Sequence, residues 1–185
     1  MEVKKKPILY SLVAFFVYFT YSAFFPFAPV TIHHPSGALG IADYLDDQYE
    51  EKHANINDIL EANNDDNYIT SFYTPLYTIE RGWTIITDDK ITRTDFAELH
   101  DRISRGYDAL INIERDFEIE LTEEQETEFN NLKDYFRIAE TKLQEPLYNA
   151  TMFSTKGSID SQILDMTNTY FNLLNQLERF LETVS

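Results

Sequence analysis

Hydrophobic and polar residues follow two different patterns along this chain. Residues 8–25 contain no charged residue and are apolar or aromatic at most positions. Residues 41–185 instead carry apolar residues three or four positions apart, with charged residues between them. The first pattern is typical of a helix surrounded by lipid, and the second of helices that bury one face. The sequence therefore predicts an all-α protein, with an N-terminal transmembrane helix followed by an extracytoplasmic antiparallel bundle of four or five helices.

The apolar stretch over residues 8–25 is about 18 residues long, which suffices to cross the hydrocarbon core of a bilayer as a helix. Three lysines at positions 4–6 precede it. Because basic residues stay in the cytoplasm, we expect a cytoplasmic tail over residues 1–7, a single-pass signal-anchor helix in the cell membrane, and an extracytoplasmic remainder. The alternative is a secretory signal that is cleaved after Ala23, which would release a secreted protein.

A linker and five amphipathic segments follow. Residues 26–40 contain proline or glycine at five positions, which disfavours a helix and predicts a stalk. The segment 68–87 has helical spacing, but its proline, its glycine and its Thr, Tyr and Ile content leave two possibilities, a helix broken near Pro75 or a β-hairpin. The spacing of apolar residues predicts the other helices over residues 41–63, 94–120, 122–147 and 158–185. The residues that this spacing predicts on core-facing stripes include Ile56, Leu60, Phe72, Tyr73, Ile79, Phe96, Leu99, Ile103, Phe117, Leu132, Tyr135 or Phe136, Ile163, Tyr170, Leu173 and Leu177.

Several helix boundaries carry recognisable sequence signals. We expect Thr94 or Asp95 to cap the helix over residues 94–120. Thr122 and Gln125 have the spacing of a capping box, in which each side chain accepts a hydrogen bond from the backbone of the other residue. Pro146 is expected to kink or end the helix that this box begins.

Charge and composition restrict the partners of the predicted bundle domain, residues 41–185. The chain has 32 acidic and 15 basic residues, a formal net charge of −17. Such a field repels phosphate groups, so we expect no nucleic-acid partner, and it favours a basic protein or peptide. The alternative is that the acidity serves solubility alone. The chain has no cysteine, which excludes thiolate catalysis and zinc sites with cysteine ligands.

The sequence has no recognisable catalytic or cofactor motif. It contains no glycine-rich phosphate loop, no Gly-x-Ser-x-Gly motif and no zinc helix with paired histidines. Glu50 and His53 have the Glu-x-x-His spacing found in di-iron bundles, but His100 lacks the matching glutamate. We therefore predict no enzyme activity, no cofactor and no metal site.

Two regions are candidates for binding a partner. The corner between the helices over residues 94–120 and 122–147 is rich in glutamate, and a solvated turn is the alternative interpretation. The segment 68–87 is rich in aromatic residues, for which packing in the core is the alternative. The candidate partner-binding residues are Glu118, Glu120, Glu123, Glu124, Tyr73, Tyr77 and Trp83.

A membrane anchor, an acidic bundle and no catalytic motif together favour a binding function. We expect an extracytoplasmic interaction module, an accessory, adaptor or scaffold subunit that contacts the bilayer through residues 8–25 and binds a protein or peptide nearby. Two alternatives stay open. One is a sensor-type bundle that binds a small molecule or ion between its helices, and the other is an immunity or inhibitor protein that neutralises a cationic toxin.

Overall fold

A computed structural model describes residues 5–25, 41–88, 91–117, 120–149 and 155–185 of the chain. Within these ranges the chain forms seven helices and no strand. The helices are α1 (Lys5–Phe24), α2 (Ile41–Ala62), α3 (Asn67–Thr70), α4 (Tyr73–Ile86), α5 (Arg93–Asp116), α6 (Glu123–Asn149) and α7 (Lys156–Val184). The predicted all-α class is therefore confirmed, and the hairpin alternative for residues 68–87 is wrong.

The N-terminal helix α1 has the apolar composition that the sequence indicated. Among the ranges that the structure describes, no helix is both long enough and apolar enough to cross a membrane. The transmembrane helix over residues 8–25 thus stays a prediction, and the predicted stalk over residues 26–40 lies outside the described residues. Large hydrophobic side chains of α1 that are exposed are Tyr10, Leu12, Val13, Phe15, Phe16, Val17, Tyr18, Phe19 and Phe24.

The apolar spacing of the remaining helices corresponds to a shared core. Each fully buried Leu, Ile or Phe contributes about 1.5–3 kcal/mol relative to an exposed one, so these stripes hold the bundle together. Tyr73 was predicted on the core-facing stripe of α4 but is exposed, whereas Ile91 and Phe180 are buried without having been predicted. Predicted core residues that are buried include Ile56, Leu60, Phe72, Ile79, Phe96, Leu99, Ile103, Leu132, Phe136, Ile163, Tyr170, Leu173 and Leu177.

Polar pairs between neighbouring helices show how the helices run. Ser104 of α5 donates a hydrogen bond to Glu140 of α6, and Lys133 of α6 forms a salt bridge with Glu114 of α5. Higher numbers on one helix thus face lower numbers on the other, so α5 and α6 are antiparallel. The pairs between α6 and α7 follow the same order, Lys142 with Asp165 and Arg179 with Glu128.

Helix α2 closes the bundle against α4 and α7. The indole of Trp83 on α4 donates a hydrogen bond of 2.9 Å to Asp46 on α2. Lys52 on α2 forms a 2.6 Å salt bridge with Glu178 on α7, which is 6% exposed and would be destabilising without a paired charge. The helical bundle is confirmed, with the long helices α2, α4, α5, α6 and α7, and the pairs above show α6 antiparallel to both α5 and α7.

The break in the segment 68–87 lies earlier than predicted. It falls at Ser71 and Phe72, between α3 and α4, and not at Pro75. Pro75 lies in the first turn of α4, where its missing N–H has no helical partner to lose. The prediction for Pro146 also differs from the structure in one respect, because α6 does not end at this proline but continues to Asn149.

The caps of α5 and α6 differ in how well they were predicted. Thr92 caps α5, and Asp95 is the third helical residue of its capping box, so the prediction of Thr94 or Asp95 as the cap was wrong. The capping box of α6 is confirmed. The backbone N–H of Thr122 donates to Gln125 at 2.9 Å, and the backbone N–H of Gln125 donates to the Thr122 hydroxyl at 3.3 Å.

Candidate functional site

A cleft lies at the end of the bundle where α5 ends and α6 begins. Its volume is about 290 Å³. Three aromatic side chains and two carboxylates line it, so it combines an apolar surface with negative charge. The lining residues are Tyr68, Phe117, Phe129, Glu114 and Glu126, together with Leu121 and Asn130. We refer to these residues as the acidic cleft.

The aromatic part of the acidic cleft is held by the local fold. The Asp66 side chain caps α3 by accepting a hydrogen bond of 2.8 Å from the backbone N–H of Tyr68. This cap fixes the backbone from which the Tyr68 ring meets Phe117, with ring centroids 5.5 Å apart in an edge-to-face arrangement. Phe129 packs against Phe180 at 5.3 Å. The rings therefore form a rigid surface that is continuous with the core.

Tyr68 brings a neutral hydroxyl to this surface. Its side chain is buried, and burial raises the pKa of Tyr68 to about 12, with a further contribution from the nearby Asp66 carboxylate. The phenol therefore stays protonated at physiological pH, since an ionised phenolate would lose its hydration beside another negative charge. The negative charge of the acidic cleft thus comes from Glu114 and Glu126.

The glutamates around the acidic cleft differ in their partners. Glu114 pairs with Lys133 at 2.6 Å. Glu128 accepts hydrogen bonds from Arg179 at 2.8 Å and from Gln176 at 2.6 Å. In the part of the chain that the structure describes, no ion pair is formed by Glu120, Glu123, Glu124 or Glu126.

The predicted acidic corner lies beside this cleft. Glu120, Glu123 and Glu124 are all exposed there, and Glu118 lies outside the described residues. A second depression, of about 540 Å³, is lined by Thr122, Glu123, Glu124, Thr127 and Glu128. Carboxylates from both depressions thus extend over one end of the bundle, where they attract cations and repel anions.

The structure separates the aromatic candidates from each other. Tyr73 and Tyr77 are 40% and 54% exposed, whereas Trp83 is only 5% exposed. Trp83 stacks on Tyr49 with ring centroids 4.3 Å apart. Trp83 therefore packs in the core, as the alternative interpretation expected, and does not share an exposed surface with Tyr73 and Tyr77.

Of the candidate partner-binding residues predicted from the sequence, none that the structure describes lines the acidic cleft, although Tyr68 belongs to the aromatic segment 68–87. Tyr68 lies on α3 and Phe117 directly follows α5, and the periodicity within one helix carries no information about that contact. Phe117 fitted the stripe of a helix predicted to reach residue 120, but α5 ends at Asp116. An aromatic residue just past the end of a helix and beside an acidic loop was the available signal.

The Glu50 and His53 pair does not extend into a metal site. No group of three or more potential metal ligands occurs among the residues that the structure describes. Glu50 is exposed, and the His53 ring stacks at 5.9 Å from Tyr49, with Nδ1 3.2 Å from the Asn57 side-chain amide. These contacts of the histidine therefore lie within α2.

Comparisons of this chain with known protein families, curated proteins and solved structures gave no match. Its function is therefore inferred from the chemistry of the acidic cleft and its surroundings.

Proposed function

We propose that this protein is a membrane-anchored extracytoplasmic interaction module whose acidic cleft binds a basic segment of a protein partner. The observation that carries the proposal is the cleft, which combines the rings of Tyr68, Phe117 and Phe129 with the carboxylates of Glu114 and Glu126. A lysine or arginine side chain presents an apolar stem and a cationic head, and both find complementary surface here. The proposal includes no catalytic step.

A protein partner is favoured because the negative surface is wider than one small ligand. The exposed Glu123 and Glu124 line a depression next to the cleft, so a segment with several basic residues has carboxylates to contact beyond the first. The net charge of −17 would also accelerate the approach of a basic partner at low ionic strength.

The membrane anchor is the second part of the proposal. Support comes from the exposed apolar side chains of α1, for example Phe15 and Phe16, which are 65% and 71% exposed. Contiguous apolar surface of this kind is unfavourable in water and is buried by lipid or by another apolar helix. We propose that residues 8–25 insert in the membrane and that the N-terminal lysines stay in the cytoplasm.

Binding to a capped pentalysine peptide tests the first part. Titration of the full-length protein in detergent micelles is expected to show saturable binding that weakens as salt is added. Glu126→Gln should weaken binding about threefold, because one carboxylate of the cleft loses its charge. Glu51→Gln is the matched control, since Glu51 is an exposed glutamate of α2, a helix that contributes no residue to the cleft. Equal effects of both changes would contradict a specific site.

The absence of cysteine makes the topology directly testable. Asp58 is exposed on α2, so Asp58→Cys supplies a single thiol for a maleimide that does not cross membranes. Labelling of intact cells is expected, together with resistance of the protein to extraction from membranes by carbonate. Phe16→Arg should increase extraction, since arginine in mid-membrane costs about 2.5–3.5 kcal/mol. Labelling only after lysis would refute the extracytoplasmic assignment.

A further inference from the structure

A lysine of the chain itself already lies against the acidic cleft. The Lys133 ammonium is 2.6 Å from the Glu114 carboxylate and 5.1 Å from the centroid of the Phe129 ring. Glu114 and Phe129 both line the cleft. We infer that these two residues form the subsite for a lysine ammonium of the partner, and that Lys133 is an internal occupant which the partner lysine must displace.

The arrangement around Lys133 has the two components that hold a cation in a partly buried site. The Glu114 carboxylate supplies the opposite charge. The face of the Phe129 ring supplies a second attraction, a cation–π interaction with the ammonium. The Lys133 side chain is 15% exposed, so most of its surface is covered by the protein. The inference rests on the proposed function, because a displacing lysine is needed only if the cleft binds a basic segment.

Lys142 offers a comparison for Lys133, because it forms an ordinary surface salt bridge. Lys142, also on α6, pairs with Asp165 at 3.1 Å, and the two side chains are 44% and 59% exposed. Neither residue lines the acidic cleft. Both lysines connect α6 to a neighbouring helix, but Lys133 alone of the two lies over a ring. Loss of either lysine should affect folding little, because the partner carboxylates of Glu114 and Asp165 are 50% and 59% exposed and stay hydrated. Buried Leu132 and Phe136 also hold α6.

The test compares Lys133→Met with Lys142→Met. Each change removes one positive charge and keeps a long, flexible side chain. Any gain in affinity for the peptide that comes only from the more negative net charge is therefore the same for both variants. With the capped pentalysine peptide as probe, Lys133→Met is expected to tighten binding about tenfold, because the internal competitor is gone. Lys142→Met should tighten it by less than about twofold. Adding Glu114→Gln to Lys133→Met is expected to abolish the gain.

The possible outcomes distinguish the inference from the proposed function. If all proteins bind the peptide and the two methionine variants tighten binding equally, the subsite inference is overturned and the proposed function stands. If neither the wild type nor any variant binds the peptide, both fail. A second measurement needs no variant: in the labelled wild-type protein, the Lys133 Nζ resonance should shift during the titration and that of Lys142 should not. A Lys133 resonance unchanged at saturation overturns the inference.

Discussion

Two groups of aromatic residues in this molecule differ in their surroundings, although most of their rings are similarly buried. In the middle of the bundle, Trp83 and Tyr170 are 5% and 0% exposed, and the Tyr170 hydroxyl donates to a backbone carbonyl of α5. At the end of the bundle, Tyr68 is also only 6% exposed, but together with the half-buried Phe117 it lines the acidic cleft. Carboxylates accompany both clusters, so residue types alone do not distinguish a core from a binding site.

The difference arises from where each cluster lies along the helices. Trp83 packs against Tyr49 of α2, Tyr170 donates a hydrogen bond to α5, and Gly82 lets the Tyr170 ring lie directly against α4. At the other cluster α5 ends at Asp116, and the acidic cleft lies where this helix ends. We therefore expect changes in the middle cluster to alter stability and changes in the cleft to alter binding.

The largest expected effect comes from Gly82→Ala, which challenges the closed cluster. An added Cβ would lie 1.9 Å from Cε1 of Tyr170, and that ring is fully buried. Because α4 and α7 must then move apart, the free energy of unfolding should fall by about 3 kcal/mol, although alanine favours the helix by about 1 kcal/mol. Urea unfolding at constant protein concentration measures the change.

Gly157→Ala is the matched control for that prediction. Gly157 lies in the first turns of α7, and an added Cβ would meet no atom within 4 Å. The change should leave stability unaltered or raise it by up to about 1 kcal/mol through helix propensity alone. If Gly82→Ala also proved neutral, the close packing of Tyr170 on α4 would be wrong.

A smaller effect is expected at high pH and concerns the tyrosine of the cleft. Burial and then Asp66 raise the pKa of Tyr68 to about 12, whereas an unfolded tyrosine ionises near pH 10. The folded protein therefore keeps the Tyr68 proton to a higher pH than the unfolded chain does. The contribution of Tyr68 to the free energy of unfolding is fully present below pH 10 and is lost as the pH rises through about 12. Between pH 10 and pH 12 the free energy of unfolding of the wild type should fall by about 2 kcal/mol relative to that of Tyr68→Phe.

Unfolding of both proteins between pH 8 and pH 12 isolates the Tyr68 contribution. Burial also raises the pKa of Tyr49 and Tyr170, and these groups affect the wild type and the variant equally. If the difference in the free energy of unfolding between the two proteins stayed constant over this range, Tyr68 would be hydrated like an exposed phenol. The cleft would then be wider than described.

The sequence predicted the closed cluster better than the open one, for a physical reason. Spacing along one helix reports which face is buried, and Leu99, Ile103 and Tyr170 were predicted in the core for that reason. The cleft depends on where a helix stops and on which ring crosses from α3, and both are set by contacts between distant residues. Asp66 and Thr92 also took capping roles that their neighbours' periodicity did not indicate.

The smallest expected effect on stability completes the comparison and comes from Glu126→Gln. Glu126 is exposed and lines the open cleft, so the change should alter the free energy of unfolding by less than about 0.5 kcal/mol. The same variant is expected to bind the pentalysine peptide less tightly. Urea unfolding and peptide titration on one preparation measure both quantities. A loss of stability comparable to that of Gly82→Ala would show that the acidic cleft is part of the core. Neutralising one exposed carboxylate on a binding surface should not destabilise the fold.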